Sequence, residues 1–327
     1  MLHGLPPAPM TPIFLRLGLA IGQMRCCRAF VRFSGIVLLV LFACAPAQAN
    51  PLVFCSQKVS LTPEQQDKLL LFSGKVKDLL AKSGRRAAII SRSGIDLDKF
   101  GIRYSHSGFT LRDSKSTPWS VRQLYYGCEE SRPSIYDQGL AGFLMDHENA
   151  INQYVSIVFI PDSMETDLEQ AALNDKVTLK LLGAEYSANA YPFSIAFQNC
   201  NQWVLEVMAY AWGKLGDQEN SRQAAQSWLK ARHYQPTSID VKYAYMVWGT
   251  YFLPLVHSSD HPSENVQRKI YQVSMPASVE HFVQTQAPEA SRVEVCLNGD
   301  KMVVHHGWDL MKDHCQAGPG DEVMSLL

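Results

Sequence analysis

This 327-residue chain has no run of basic residues, no internal repeat and no low-complexity tract. The first absence argues against nucleic acid or an anionic membrane as the main partner, since both are held by clustered Lys and Arg. The others leave one large domain or two modest ones with a real core, in keeping with 46% hydrophobic and 19% charged residues. Acids are missing altogether from the first 49 positions, which hold Arg16, Arg25, Arg28 and Arg32 and end in the apolar run Phe33 to Ala45 followed by Ala47-Gln48-Ala49. That pattern predicts an export signal over 1–49, cleaved after Ala49. Counted from Met24 the signal has 26 residues, so Met24 is a candidate true start. Its uncharged stretch falls short of the roughly 20 residues that a spanning helix needs, so no membrane span is expected once it is removed. A lipoprotein anchored through Cys44 is the weaker alternative, because bulky Phe42 fits that cleavage site poorly. The expected destination is the periplasm or the exterior.

Removing the signal leaves acidic residues five in excess over basic ones and leaves five cysteines, Cys55, Cys128, Cys200, Cys296 and Cys315. Five is odd, so at least one thiol is unpaired in a compartment that permits disulfides. Cys296 and Cys315 flank one short C-terminal stretch, and Cys55 and Cys128 both precede Cys200. The expected pairs are Cys55–Cys128 and Cys296–Cys315, with Cys200 free.

Taken in order, Thr62-Pro63-Glu64-Gln65 caps a helix that runs to about Lys82. Strands are expected at Ala87 to Ser91, Arg103 to Arg112, Trp119 to Tyr126 and Tyr154 to Ile160, and a helix of limited quality at Asp137 to Asp146. Helices follow at Glu165 to Asn174, Lys176 to Leu182 and Asp217 to Ala231. Val241 to Val256 reads as interrupted strands, Lys269 to Ser274 as a strand and Pro276 to Gln284 as a helix. Val293 to Leu297 and Met302 to His305 make a hairpin turned at Asn298-Gly299. The class is α+β. The division is a core over 50–232 and a mixed C-terminal extension over 233–327 packed on that core, with a disordered tail after residue 314.

Chemistry gathers around Cys200. Trp203, Val204, Val207, Met208, Ala211 and Trp212 recur at three- and four-residue intervals from it, so the thiol shares the inner face of a helix that begins there. Unpaired amides and the positive dipole end at a helix start favour a thiolate. His106 lies on the strand over 103–112, with Gly108 on the same face leaving room beside the imidazole. Gln123 projects from the next strand, with Asp113 as the runner-up for a group that fixes the imidazole. The histidines of His257-Ser-Ser-Asp-His261, with His305, His306 and His314, suggest metal only weakly, because the first pair is bracketed by prolines and has no Glu between its members.

Tyr104-Ser-His-Ser-Gly-Phe, Trp119-Ser-Val-Arg-Gln-Leu-Tyr-Tyr, Asp137-Gln-Gly-Leu-Ala-Gly-Phe and Tyr186-Ser-Ala-Asn-Ala-Tyr-Pro-Phe with Gln198-Asn-Cys-Asn-Gln-Trp-Val resemble the exported bacterial family catalogued as domain of unknown function 2145, over most of residues 52–285. More remotely, Tyr186 followed by Asn-Cys-Asn-Gln-Trp-Val is similar to the nucleophile motif of NlpC-type papain-like cysteine peptidases. His106 ahead of Cys200 matches the order of their circularly permuted, YiiX-like branch. The resemblance implies a permuted papain-like core with an antiparallel sheet and a nucleophile-bearing helix. It makes Cys200 the nucleophile, His106 the base and Tyr186 an oxyanion donor, with no cofactor and no metal. Asn199 departs from it, standing where the relatives carry an acid. The implied function is a cysteine hydrolase or acyltransferase acting on an amide or ester carbonyl of an envelope peptide or acyl substrate. The alternative is a catalytically silent envelope protein that binds through the aromatics of Tyr186 to Phe197.

Overall fold

The computed structural model describes residues 61–94, 97–145, 153–217, 219–241 and 255–327. Helix α1 (Pro63–Lys82) starts at a complete capping box, in which Thr62 accepts from the Gln65 amide and Gln65 answers to the Thr62 amide. Two reciprocal bonds satisfy donors that a helix start otherwise leaves bare. Strand β1 (Ala87–Arg92) follows, then β2 (His106–Leu111), β3 (Ser120–Gly127) and β4 (Arg132–Gln138). The helix expected at Asp137 to Asp146 begins only after β4, as α2 (Leu140–Met145).

Strand β5 (Tyr154–Phe159) leads into α3 (Asp162–Leu173) and α4 (Asp175–Lys180), and α5 (Cys200–Trp212) is followed by α6 (Ser221–Ala231). A small two-stranded sheet pairs β6 (Thr237–Asp240) with β7 (Ile270–Val273), and α7 (Ser263–Arg268) lies between them in sequence. Helix α8 (Pro276–Gln286) then precedes β8 (Ser291–Asn298), β9 (Lys301–His306) and β10 (Glu322–Ser325). Most of the strands expected over Val241 to Val256 lie outside the described residues.

The main sheet has eight strands in the order β10-β9-β8-β5-β1-β2-β3-β4, and every ladder in it is antiparallel. Strand β8 pairs with β5, so the sheet runs across residue 232 and joins the expected core and extension into one layer. The tail after 314 corrects the expectation of disorder: Glu322–Ser325 forms the outermost strand on β9.

Alternation along the strands divides the core in two. Ala87, Ile89, Phe109, Leu111, Leu124 and Val158 face α3, α5 and α8. Ala88, Ile90, Val121, Val155 and Ile157 face α1 and α2 on the other side. Helix α5 is buried nearly all round, with Trp203, Val204, Leu205, Val207 and Met208 fully enclosed. Burying each side chain of that size contributes about 1.5–3 kcal/mol, which makes α5 the rigid spine of its layer.

Cys296 and Cys315 form a disulfide with a Cα separation of 5.7 Å, as the spacing suggested. Cys128 is also disulfide-bonded, while Cys55 lies outside the described residues. Cys200 is the free cysteine among the described residues, and it is buried.

Candidate active site

Helix α5 starts where Asn199 stops being extended. Asn199 Oδ1 accepts from the Gln202 amide at 2.8 Å, and its Nδ2 donates to the carbonyls of Ala188 (3.1 Å) and Ser274 (3.3 Å). An amide side chain can cap and donate at once, which a carboxylate cannot. This accounts for Asn199 in place of an acid.

Cys200 follows at 5% exposure. The amides of Ser107, Asn201 and Cys200 itself draw its pKa down, together with the charge of Arg92, yet burial outweighs them and raises it to about 11. The thiolate expected from a helix start is therefore not the resting form, because desolvation of a buried anion exceeds what the first-turn amides return.

Asn201 ties this first turn to β2. Its Nδ2 donates to the Ser105 carbonyl at 3.1 Å and to Ser274 at 3.0 Å, and its Oδ1 accepts from Ser107 Oγ at 2.7 Å. The two β2 contacts sit on either side of His106. Ser107 thus meets α5 through both its amide, which acts on the Cys200 thiol, and its hydroxyl, held by Asn201.

His106 opens β2, where its register partner on β1 is Arg92. By alternation its side chain leaves the strand on the opposite face from Ser107 and Phe109, and its ring packs against Phe143 of α2 at 5.9 Å. The Arg92 guanidinium lies 5.1 Å from the same Phe143 ring. Burial and Arg92 lower the His106 pKa to about 3, against a smaller upward pull from Gln123. At neutral pH the imidazole is uncharged. Cys200 and His106 thus approach the start of β2 from two sides, and no hydrogen bond joins them among those of the described residues.

Gln123 is the partner that the strand order suggested: its Oε1 is hydrogen-bonded to His106 Nε2. Its own Nε2 donates to Gln138 Oε1 at 2.8 Å. With its amide nitrogen engaged by Gln138, Gln123 presents its carbonyl to His106, so Nε2 carries the ring proton and Nδ1 is the basic nitrogen. The space beside Gly108 is not open as expected. A Cβ there would lie 2.8 Å from the Arg122 carbonyl and from Val121 Cγ1 and 3.1 Å from Gln123 Cβ. The missing side chain lets β3 close in, which places Gln123 beside His106.

Tyr186 stands against the Cys200 side of the sheet, with its ring 5.2 Å from that of Tyr126. Burial and the neighbouring Cys200 push its phenol well above the usual range, so it is a neutral O–H donor. Asp113 lies past the far end of β2, exposed and paired with Arg112 at 3.2 Å.

The segment leading to Cys200 is fastened from beneath by buried Glu206. It accepts from Gln198 (2.6 Å), Gln226 (2.8 Å) and Arg222 (2.8 Å), and Arg222 also reaches the carbonyls of Ile195 and Phe197. The aromatics of this segment are half-buried and engaged: Tyr191 meets Phe193, Phe193 meets Tyr234, and Phe197 stacks on His257 at 4.4 Å. His261 Nε2 bonds the Asn189 carbonyl at 2.7 Å.

Arg92, Gln138 and Asn201 escape sequence reasoning because their roles depend on partners far along the chain. The available signals are polar residues where apolar ones belong: an arginine closing the run Ala87 to Ser91, and an asparagine inside a buried helix. The family model described as an uncharacterized protein conserved in bacteria, DUF2145, matches residues 79–283, more than half of the chain. No curated protein and no solved structure matches it.

Proposed function

The chain belongs to the bacterial DUF2145 family, and from that footing we propose that it is an exported cysteine hydrolase or acyltransferase on a permuted papain-like core. One observation carries the reading: His106 is held through Nε2 by Gln123, which is itself fixed by Gln138, beside a strand residue whose amide acts on the Cys200 thiol. Export is supported by the acid-free leader and by the Cys296–Cys315 disulfide, a bond that persists in oxidising compartments.

In this reading the resting pair is a thiol and a neutral imidazole. Reaction requires the His106 side chain, which opens β2 on the face away from α5, to swing round the start of the strand toward Cys200. Nδ1 then takes the thiol proton as Sγ bonds to the carbonyl carbon of an amide or ester, and the carbonyl π electrons move to oxygen. The first-turn amides and the Tyr186 hydroxyl stabilise that oxyanion. Collapse breaks the bond to the leaving amine or alcohol, which takes the proton from His106 and leaves a thioester on Cys200. Water completes hydrolysis, whereas an acceptor amine or hydroxyl completes acyl transfer. In either case His106 removes the incoming group's proton and returns it to the departing thiolate.

A generic acyl donor, 4-nitrophenyl acetate, tests this. Mass spectrometry of the folded protein at neutral pH should find acetylation at Cys200, faster than in a denatured control and lost in Cys200→Ala. Equal or slower acetylation of the folded thiol rejects the reading. A second reading, a silent binding protein on the same scaffold, is favoured by one fact, the 5% exposure of Cys200. It requires that negative result.

A further inference from the structure

The face of the β3–β4 hairpin that carries Gln123 and Gln138 extends well beyond the His106 relay. Alternation places Gln123, Tyr125 and Gly127 of β3 on that face with Arg132, Ser134, Tyr136 and Gln138 of β4, and the ladder sets Tyr125 opposite Ser134 and Gly127 opposite Arg132. All of these but Gln123, together with Glu130 and with Gly142 and Met145 of α2, bound a cavity of about 580 Å³. That is within the range of small-ligand sites. From Arg132 to Gln138 the row spans about 20 Å at the usual strand rise. Its inner end is the side chain that holds Gln123, so the cavity adjoins the His106 relay directly.

The lining is specific in kind. Tyr125 and Tyr136 are 38% and 47% exposed, with ring centroids 5.8 Å apart and the planes tilted by 42°. Ser134, Gln138 and Glu130 supply hydrogen-bonding groups around them. At the outer end, Arg132 makes no side-chain hydrogen bond or ion pair among the described residues, Glu130 included. Exposed aromatic rings among amides, a hydroxyl and a carboxylate suit the C–H faces and hydroxyls of a sugar ring. A guanidinium without such a bond suits a carboxylate.

We propose that this cavity binds a saccharide bearing a carboxylate, stacked on Tyr125 and Tyr136 with its acid on Arg132. The cavity lies on the α1–α2 side of the sheet, the face opposite α5 and Cys200, so the binding does not require the hydrolase or acyltransferase reading.

The test uses the full chain with Cys200→Ala, so that catalysis cannot enter, and two trisaccharide probes, trigalacturonate and neutral maltotriose. Titration calorimetry and saturation-transfer NMR should show trigalacturonate bound at least tenfold more tightly than maltotriose. Arg132→Ala should remove that preference, and Tyr136→Ala should weaken binding of both probes. Both positions are exposed, and a thermal melt checks that each variant folds. No trigalacturonate binding at 10 mM, equal affinity for the two probes, or unchanged affinity in Arg132→Ala overturns the proposal. The chemistry at Cys200 is decided independently of all three results, by acetylation of the wild-type chain.

Discussion

Ser107 Oγ donates to Asn201 Oδ1 at 2.7 Å, joining the residue after His106 to the residue after Cys200. Because Asn201 also holds the Ser105 carbonyl, the strand position of His106 and the first turn of α5 move as one piece. Replacing Asn201 with Ala removes three hydrogen bonds, two of them buried, and strands the Ser107 hydroxyl. We expect a loss of about 2–4 kcal/mol in urea unfolding, on the basis of roughly 1 kcal/mol per bond plus the cost of the orphaned group. Acetylation of Cys200 should slow in the folded fraction as well, since the two groups lose their common mount.

The relay through Gln123 makes a prediction about charge. Gln123→Glu sets a carboxylate against His106 Nε2 in place of a carbonyl, which favours imidazolium and raises the His106 pKa from about 3. Proton NMR titration of the imidazole resolves the direction. Gln138→Leu, which leaves Gln123 free to turn its nitrogen toward the ring, should slow acetylation with little change in melting temperature. A rate equal to wild type would show that the orientation of Gln123 is irrelevant.

A pH profile separates general-base attack from reaction of a preformed thiolate. His106 is a base at every pH above about 3, and the Cys200 thiol keeps its proton up to about 11. Wild-type acetylation should therefore be level across the neutral range and fall only in acid below about pH 4. In His106→Ala the level region should vanish, leaving a rate that climbs about tenfold per pH unit toward the thiol pKa. A wild-type profile with that same slope contradicts general-base attack.

The same imidazole makes the fold acid-sensitive. Its folded pKa lies below its ordinary value of 6.5, so the unfolded chain binds the proton more readily and stability is lost as pH falls from about 6.5 toward 3. His106→Gln cannot be protonated and should lose less melting temperature between pH 7 and pH 4.5 than wild type does. An identical decline in both proteins places the acid sensitivity elsewhere.

The disulfide closes a loop with a sequence separation of 19, and it pins the turn at Asp313–Cys315 to β8. Replacing both Cys296 and Cys315 with Ser should cost about 3 kcal/mol by loop entropy, read from denaturant midpoints at constant m.

Most of the scaffold was legible because its strands and helices repeat strongly. Ala87 to Arg92 and Tyr154 to Phe159 are apolar runs, and Cys200 to Trp212 keeps its period for three turns. Strand β4 was not, since Arg132-Pro-Ser-Ile-Tyr-Asp-Gln contains a proline and has one face that is open to solvent. Edge strands bury too little to leave an apolar pattern, and Gln138 was hidden with it. Strand β10 is shorter still and gains its place only from β9. The pair His106 and Gln123 was visible from strand spacing, whereas the protonation states were not. Those follow from how deeply the fold sinks each group, a property of the assembled core.

The pairing of β5 with β8 has a consequence for how the chain is born. Strand β5, residues 154–159, has one edge covered by β1 and the other by β8, residues 291–298. Until residues 291–298 have been synthesised, the middle of the sheet is half built and one flank of both cores is missing. Contacts this distant in sequence also form slowly. One edge of β5 thus stays bare in a growing chain until β8 arrives to cover it.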